Sequence, residues 1–229
     1  MNALRVGAWA GWISLIGIFG YHLTLMAVAG TRASGTLDRA AIEAFYANDA
    51  IALVGVEGSL LPVPMAIFAL GLFELFRRTD SARWFGSLGL IFVLIELPLL
   101  LTQLAIQAGL VAAVNAGEPV VGLFRAWDAL YNSAAYVTEA VWVAAFGLAM
   151  AHVAAFPRWM SRFSMLVAAL LALNVFAIWV GIPDAATLPS AALLGIWFAG
   201  ASVGLGRAAG RSVDEVLPEL ARGAVRVAE

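Results

Sequence analysis

The chain has 229 residues, 63% of them hydrophobic and only 12% charged, with a formal net charge of −2. That is too little charge to cover a soluble domain of this size, and nothing in the balance points to a nucleic-acid partner. Cysteine is absent and all thirteen basic residues are arginine, which removes disulfides, thiolate chemistry, cysteine metal sites and any lysine Schiff base.

Six stretches are long and apolar enough to cross a bilayer. They run Gly7–Ala29, Ala50–Phe76, Trp84–Ala113, Tyr131–Phe156, Phe163–Gly181 and Pro189–Gly206. The expected fold is all-α: one transmembrane domain of six helices over residues 1–206, then a polar cytoplasmic tail over 207–229.

The first span carries His22, about 10 Å below its outer end at 1.5 Å per helical residue. It closes on Ala27-Val28-Ala29, a small-residue pattern like a signal-peptide cleavage site, but the apolar run is longer than a usual signal h-region and we expect it to be kept. The following loop, Gly30–Asn48, contains a polar stretch from Asp38 to Glu43 that predicts a short surface helix. The second span places Glu57 about 10 Å deep and is interrupted by Pro62 and Pro64. Each proline removes a backbone donor, either to open space beside the acids or for helix shape alone. Glu74 lies close to Arg77 and Arg78 and predicts an interfacial ion pair.

In the third span Glu96, Gln103 and Gln107 are spaced by seven and four, which puts them on one helical face. Pro98 stands two residues from Glu96. After Gly117-Glu118-Pro119 the chain is predicted to enter the fourth span as a helix, where Asp128, Tyr131, Asn132, Glu139 and Trp142 share a face. Glu96 and Glu139 fall at about 12–15 Å and about 12 Å of depth. Asn174 in the fifth span and Trp197 in the sixth reach comparable levels. In the tail, Val213–Leu220 has the pattern of a short amphipathic helix.

Ten arginines (5, 77, 78, 83, 158, 162, 207, 211, 222 and 226) fall on one side of this topology and three (32, 39 and 125) on the other. The positive-inside rule then sets both termini in the cytoplasm. A bacterial inner membrane is the expected location. Trp9, Trp84, Trp127, Trp159 and Trp179 lie near span ends, as interfacial anchors do.

An intramembrane acid is costly and points to function. Glu57, Glu96 and Glu139 are the candidate catalytic groups, with His22, Gln103, Asp128, Tyr131, Asn132, Trp142, Asn174 and Trp197 as candidate ligand-binding residues around an outward-opening pocket. Plainer readings exist for each. The acids can be protonated glue between helices, His22 a packing histidine, Asp128 an end cap, and Trp142 and Trp197 core. In a low dielectric one carboxyl can hold its proton while a neighbour stays ionised, which suits isomerisation, cyclisation or hydration of a lipophilic small molecule. A proton-linked carrier and a non-catalytic membrane subunit remain as alternatives. No Glu-x-x-His pair is present to build a helical-bundle metal site, and no cofactor is expected.

The layout from Ala140 to Pro183, with Phe146-Gly147-Leu148, Pro157-Arg158-Trp159 and Ile182-Pro183, resembles a bacterial family of six-span membrane proteins whose activity is undefined. The resemblance implies a six-helix membrane fold and supplies no chemistry. The glutamate layer and the segment around Trp127-Asp128 and Tyr131-Asn132-Ser133 have no counterpart in it.

Overall fold

Long runs of leucine, valine and alanine leave buried backbone groups no partner except their own helix, and this chain is helical almost throughout. The computed structural model describes residues 2–29, 38–48, 51–59, 61–180 and 192–210. Of these, 89% are helical and none lies in a strand. The elements are α1 (Ala3–Ala29), α2 (Arg39–Tyr46), α3 (Ile51–Ser59), α4 (Pro62–Phe76), α5 (Asp80–Ala116), α6 (Val121–Ala129), a π-helical turn (Leu130–Ala135), α7 (Tyr136–Met150) and α8 (Arg158–Trp179). A last helix, α9, covers Ala192–Gly210.

Among the described residues, six helical stretches are long and apolar enough to span a membrane: Ala3–Thr24, Leu53–Phe76, Asp80–Ala116, Val121–Met150, Arg158–Ala177 and Ala192–Gly210. Trp9, Ile16, Val63, Trp84 and Phe176 are each more than half exposed. In water so wide an apolar surface would aggregate, whereas against lipid it is the ordinary condition. The chain is a multi-pass membrane protein.

Local chemistry explains where the elements start and stop. The second span is two helices, α3 and α4, and Pro62 sits in the first turn of α4 where its missing N–H is not needed. Pro98, by contrast, is carried inside α5. That helix is 37 residues long, about 55 Å at 1.5 Å per residue, against a hydrocarbon core of about 30 Å. It ends in a Schellman cap: Gly117 takes φ +70°, its N–H donates to Val114, and the Glu118 N–H donates to Ala113 at 2.8 Å. The predicted surface helix is α2, capped by the Asp38 side chain accepting from the Ala41 N–H.

The fourth span is displaced from its predicted bounds, running Val121–Met150 and not to residue 156. Residues 151–156 form turns. They are apolar because Ala155 and Phe156 are buried, with Phe156 packed on Phe76 and filling the space beside Gly204. Apolar character there reports turn packing, which hydropathy reads as span. Trp127 is likewise buried at 3% exposure and stacks on Tyr131, so it is no interfacial anchor. The predicted amphipathic segment 213–220 and the expected start of the sixth span at residue 189 lie outside the described residues.

α7 packs between α5 and α8, and α4 between α1 and α5. α1 and α4 touch backbone to backbone, since a Cβ on Gly7 would stand 2.8 Å from the Gly71 Cα. The buried side chains form two clusters. The larger one includes Phe68, Phe76, Trp142, Phe146, Met150, Trp197 and Phe198, toward the end that carries Arg77, Arg78 and Arg158. The smaller one lies at the opposite end, where Ile42 and Tyr46 of α2 pack with Leu110, Val120, Phe124 and Trp127. The site described next lies at the seam between them.

Candidate functional site: a paired-carboxyl cavity

Spacing by seven and four turns Glu96, Gln103 and Gln107 of α5 inward together, and all three are buried. Glu96 is 1% exposed. Its Oε2 accepts the indole N–H of Trp142 and lies 3.2 Å from the Thr138 hydroxyl, both on α7. The Thr138 hydroxyl has one proton and also faces the Ala135 carbonyl at 2.7 Å.

Glu139 reaches the same cavity wall from α7, beside Glu96. Glu139 Oε2 is buried and has no hydrogen-bond partner among the described residues. An acceptor left bare in this way costs about 1–3 kcal/mol unless something else meets it.

Both acids line a cavity of about 80 Å³, room for several waters or part of a small ligand. The remaining wall is mostly apolar, from Ile18, Leu61, Met65, Leu100, Leu104, Leu171 and Leu194, with Ser14, Tyr21, His22, Gln103, Tyr131 and Tyr136 as its other polar members.

His22 is fixed from both sides. One ring nitrogen, Nδ1, is 2.8 Å from the Ile18 carbonyl and must donate, because a carbonyl only accepts. In the neutral ring Nε2 is then an acceptor, and the Tyr131 hydroxyl, 2.9 Å away, donates to it. Tyr131 belongs to the π-helical turn and stacks on Trp127 with ring centroids 5.1 Å apart. Such turns inside α-helices recur at functional sites. Gln103 stands two turns along α5 from Glu96, and its Nε2 is buried without a partner among the described residues. Gln107 donates to the Tyr21 hydroxyl at 3.3 Å.

Of the residues singled out in the sequence, Glu96, Glu139, His22, Gln103 and Tyr131 line the cavity together. Trp142 touches Glu96 from behind the wall. Glu57 is placed elsewhere, on the seam between α3 and α1, accepting from Thr24 at 3.2 Å beside Gly20. Asp128 accepts from Asn132 at 2.7 Å, one turn away on their own helix. Asn174 is buried outside the lining, and Trp197 donates to Ser164 at 2.8 Å within the larger core.

Tyr21, Ser14 and Tyr136 line the cavity although the sequence reading passed them over. Ser14, Ile18 and Tyr21 fall at spacings of four and three, a helical face that points to them on inspection. Among the described residues no group of three or more His, Asp or Glu side chains is arranged to hold a metal ion.

No protein-family model, curated protein or solved structure matches the chain. The fold and site define the class by themselves: a multi-pass helical membrane protein with two carboxyls on one cavity wall.

Proposed function

We propose that this protein is an intramembrane enzyme that moves protons on a lipophilic small molecule, in an isomerisation, cyclisation or hydration. The single observation that carries the reading is the convergence of Glu96 and Glu139 on the wall of one largely apolar cavity. A protonated carboxyl can deliver its proton to an alkene carbon, forming a C–H bond and leaving a cation on the neighbouring carbon. A carboxylate can then take a proton from the next carbon, which moves the double bond. Attack by a second alkene or by water on the same cation forms a C–C or C–O bond and a new cation or oxonium, and the carboxylate takes the proton that this loses, giving cyclisation or hydration. Glu139, on the cavity wall and without the indole and hydroxyl donors that hold Glu96, suits the group that meets the substrate. Glu96, held by Trp142 and Thr138, suits its fixed partner. Tyr131 and His22 form a hydrogen-bonded pair on the same cavity and suit proton exchange with the mouth.

The aromatic packing favours this reading over a proton-linked carrier. Trp142, Phe146, Trp197, Phe198 and Phe68 stack on one another between the cavity and the arginine-rich end, where a carrier needs a polar path. The arginine distribution sets the proposed frame: a bacterial inner membrane, both termini cytoplasmic, and the cavity in the outer half.

The test is solvent-proton exchange. Purified protein in lipid nanodiscs is incubated in D₂O with a neutral lipid extract of its source, and the lipids are read by mass spectrometry. We expect deuterium to enter one lipid species in a protein-dependent manner, with loss of that signal in Glu96→Gln and Glu139→Gln. No incorporation, or incorporation unchanged in both variants, overturns the proposal and leaves a non-catalytic membrane subunit as the reading.

A further inference from the structure

The break in the second span and the intramembrane acid Glu57 take no part in the proton chemistry, and both belong to α3. This helix is a wall one helix thick between the cavity and lipid. Ile51, Val54 and Gly58, spaced by three and four, share its inner face, and Gly58 lines the cavity. Leu53 and Val56 lie on the other face, each more than half exposed. At Gly58 the wall is bare backbone, since a Cβ there would stand 2.7 Å from a Leu104 methyl and 3.3 Å from the Tyr21 ring.

α3 is also lightly held. Of its described side chains, Ile51 and Val54 join the smaller cluster, whereas α4 commits Met65, Phe68, Ala69, Leu72, Leu75 and Phe76 to the larger one. Little couples the two helices. Pro62 and Pro64 bring no N–H to the junction, and the Ser59 hydroxyl turns back onto the Gly55 and Val56 carbonyls at 2.9 Å. The Leu61 N–H reaches the Gly58 carbonyl at 3.2 Å. Toward α1, the Thr24 hydroxyl donates to Glu57 Oε1 at 3.2 Å. Broken backbone at membrane depth is tolerated where it borders a cavity, and elements with few buried contacts open first. At about 80 Å³ the cavity takes only part of a small ligand, so a lipophilic substrate requires a wall that moves.

We propose that α3 is a lateral lid, pivoting at the junction between Ser59 and Pro62 and latched to α1 by the Thr24–Glu57 hydrogen bond. Its opening joins the cavity to the surrounding lipid between α1 and α5, while α4 stays bedded on α1 at Gly7 and Gly71. The outer face of the lid is apolar and meets lipid whether shut or open, so entry needs no aqueous path. What passes the lid rests on the cavity being a reaction chamber, but the motion is tested without turnover.

The chain has no cysteine, so spin labels attach only where cysteine is introduced. Double electron–electron resonance in nanodiscs reads one pair from α3 to α8, Val56→Cys with Phe176→Cys, and one from α4 to α8, Leu70→Cys with Leu166→Cys. All four side chains are more than half exposed. For the α3 pair we expect a second distance, longer by at least about 4 Å, the contact width of one carbon chain. Thr24→Val removes the latch and raises the share of the longer distance. Pro62→Ala with Pro64→Ala supplies the missing N–H groups, stiffens the junction and removes that distance. The α4 pair keeps one distance throughout. A lone label at Leu100→Cys, on the cavity wall, reports the route. In Thr24→Val its collisions with lipid-soluble oxygen rise, and those with a water-soluble nickel chelate do not.

A single α3 distance in the unaltered protein and in Thr24→Val overturns the inference, as does an α4 distance that lengthens with it. A rise in nickel collisions also overturns it, by making the route aqueous. If Thr24→Val fails to fold, the proline variant decides: a longer distance that survives there removes the pivot. A moving lid without deuterium uptake sinks the chemistry alone, and deuterium uptake past a fixed α3 sinks the lid alone.

Discussion

Glu139→Gln separates the proton from the architecture. Glutamine has the size of glutamate, and its amide can donate to Glu96, so the contact between α5 and α7 persists. Glu139 Oε2 has no hydrogen bond to lose among the described residues, and Glu96 keeps Trp142 and Thr138 as donors. At most one hydrogen bond changes character, and stability should move by no more than about 1 kcal/mol. The proton held between two carboxyls is gone, however. Removing one general acid/base costs about 10²–10⁴-fold in rate, or about 3–5 kcal/mol of barrier at roughly 1.4 kcal/mol per tenfold. Initial rates of deuterium incorporation read the loss of rate, and thermal unfolding in nanodiscs reads the change in stability. A variant that unfolds normally and turns over within roughly threefold of the parent would refute the assignment of Glu139.

The other expectations concern separate parts of the molecule. Gly7→Ala and Gly71→Ala each push a methyl group against backbone at 2.8 Å and should destabilise the protein by about 1–3 kcal/mol, whereas Gly55→Ala, with open space around it, should be stabilising by about 0.5–1 kcal/mol; thermal unfolding compares the three. Asp38→Ala removes the side-chain cap on the Ala41 N–H, 2.8 Å away, and should cost α2 about 1 kcal/mol, seen as faster hydrogen exchange over residues 39–46. Tyr131→Phe deletes the donor to His22 while leaving the stack on Trp127, so turnover should fall by about tenfold and stability by about 1–3 kcal/mol, because the His22 acceptor is left bare. Trp142→Phe strips a donor from buried Glu96 and should lower both stability and rate, where a purely structural tryptophan would lower stability alone.

Periodicity made much of this site readable, and its limits are physical. The seven-and-four spacing on α5 works because that helix is continuous from Asp80 to Ala116, so phase carries over from Glu96 to Gln107. On the fourth span the phase is broken by the π-helical turn at Leu130–Ala135, which nothing in the composition announces. Tyr131 and Glu139 both reach the cavity, while Asn132 turns to donate to Asp128. Glu57 shares a depth with the other acids, but α3 ends at Ser59, and depth says nothing of direction around the bundle. Trp142 and Trp197 are buried for packing, and only the contact with Glu96 ties the former to the site. Residues 151–156 show the converse: a turn whose Ala155 and Phe156 pack into the core reads as apolar as a span.

The claim on which the rest depends is that Glu96 and Glu139 hold a proton between them at neutral pH. Infrared spectroscopy of protein labelled with ¹³C-glutamate reads it directly, through the carbonyl stretch of a hydrogen-bonded carboxylic acid. We expect that band in the unaltered protein and in Glu57→Gln, and its disappearance in the Glu96→Gln, Glu139→Gln double variant. The same band persisting undiminished in the double variant would place the proton elsewhere and contradict the account.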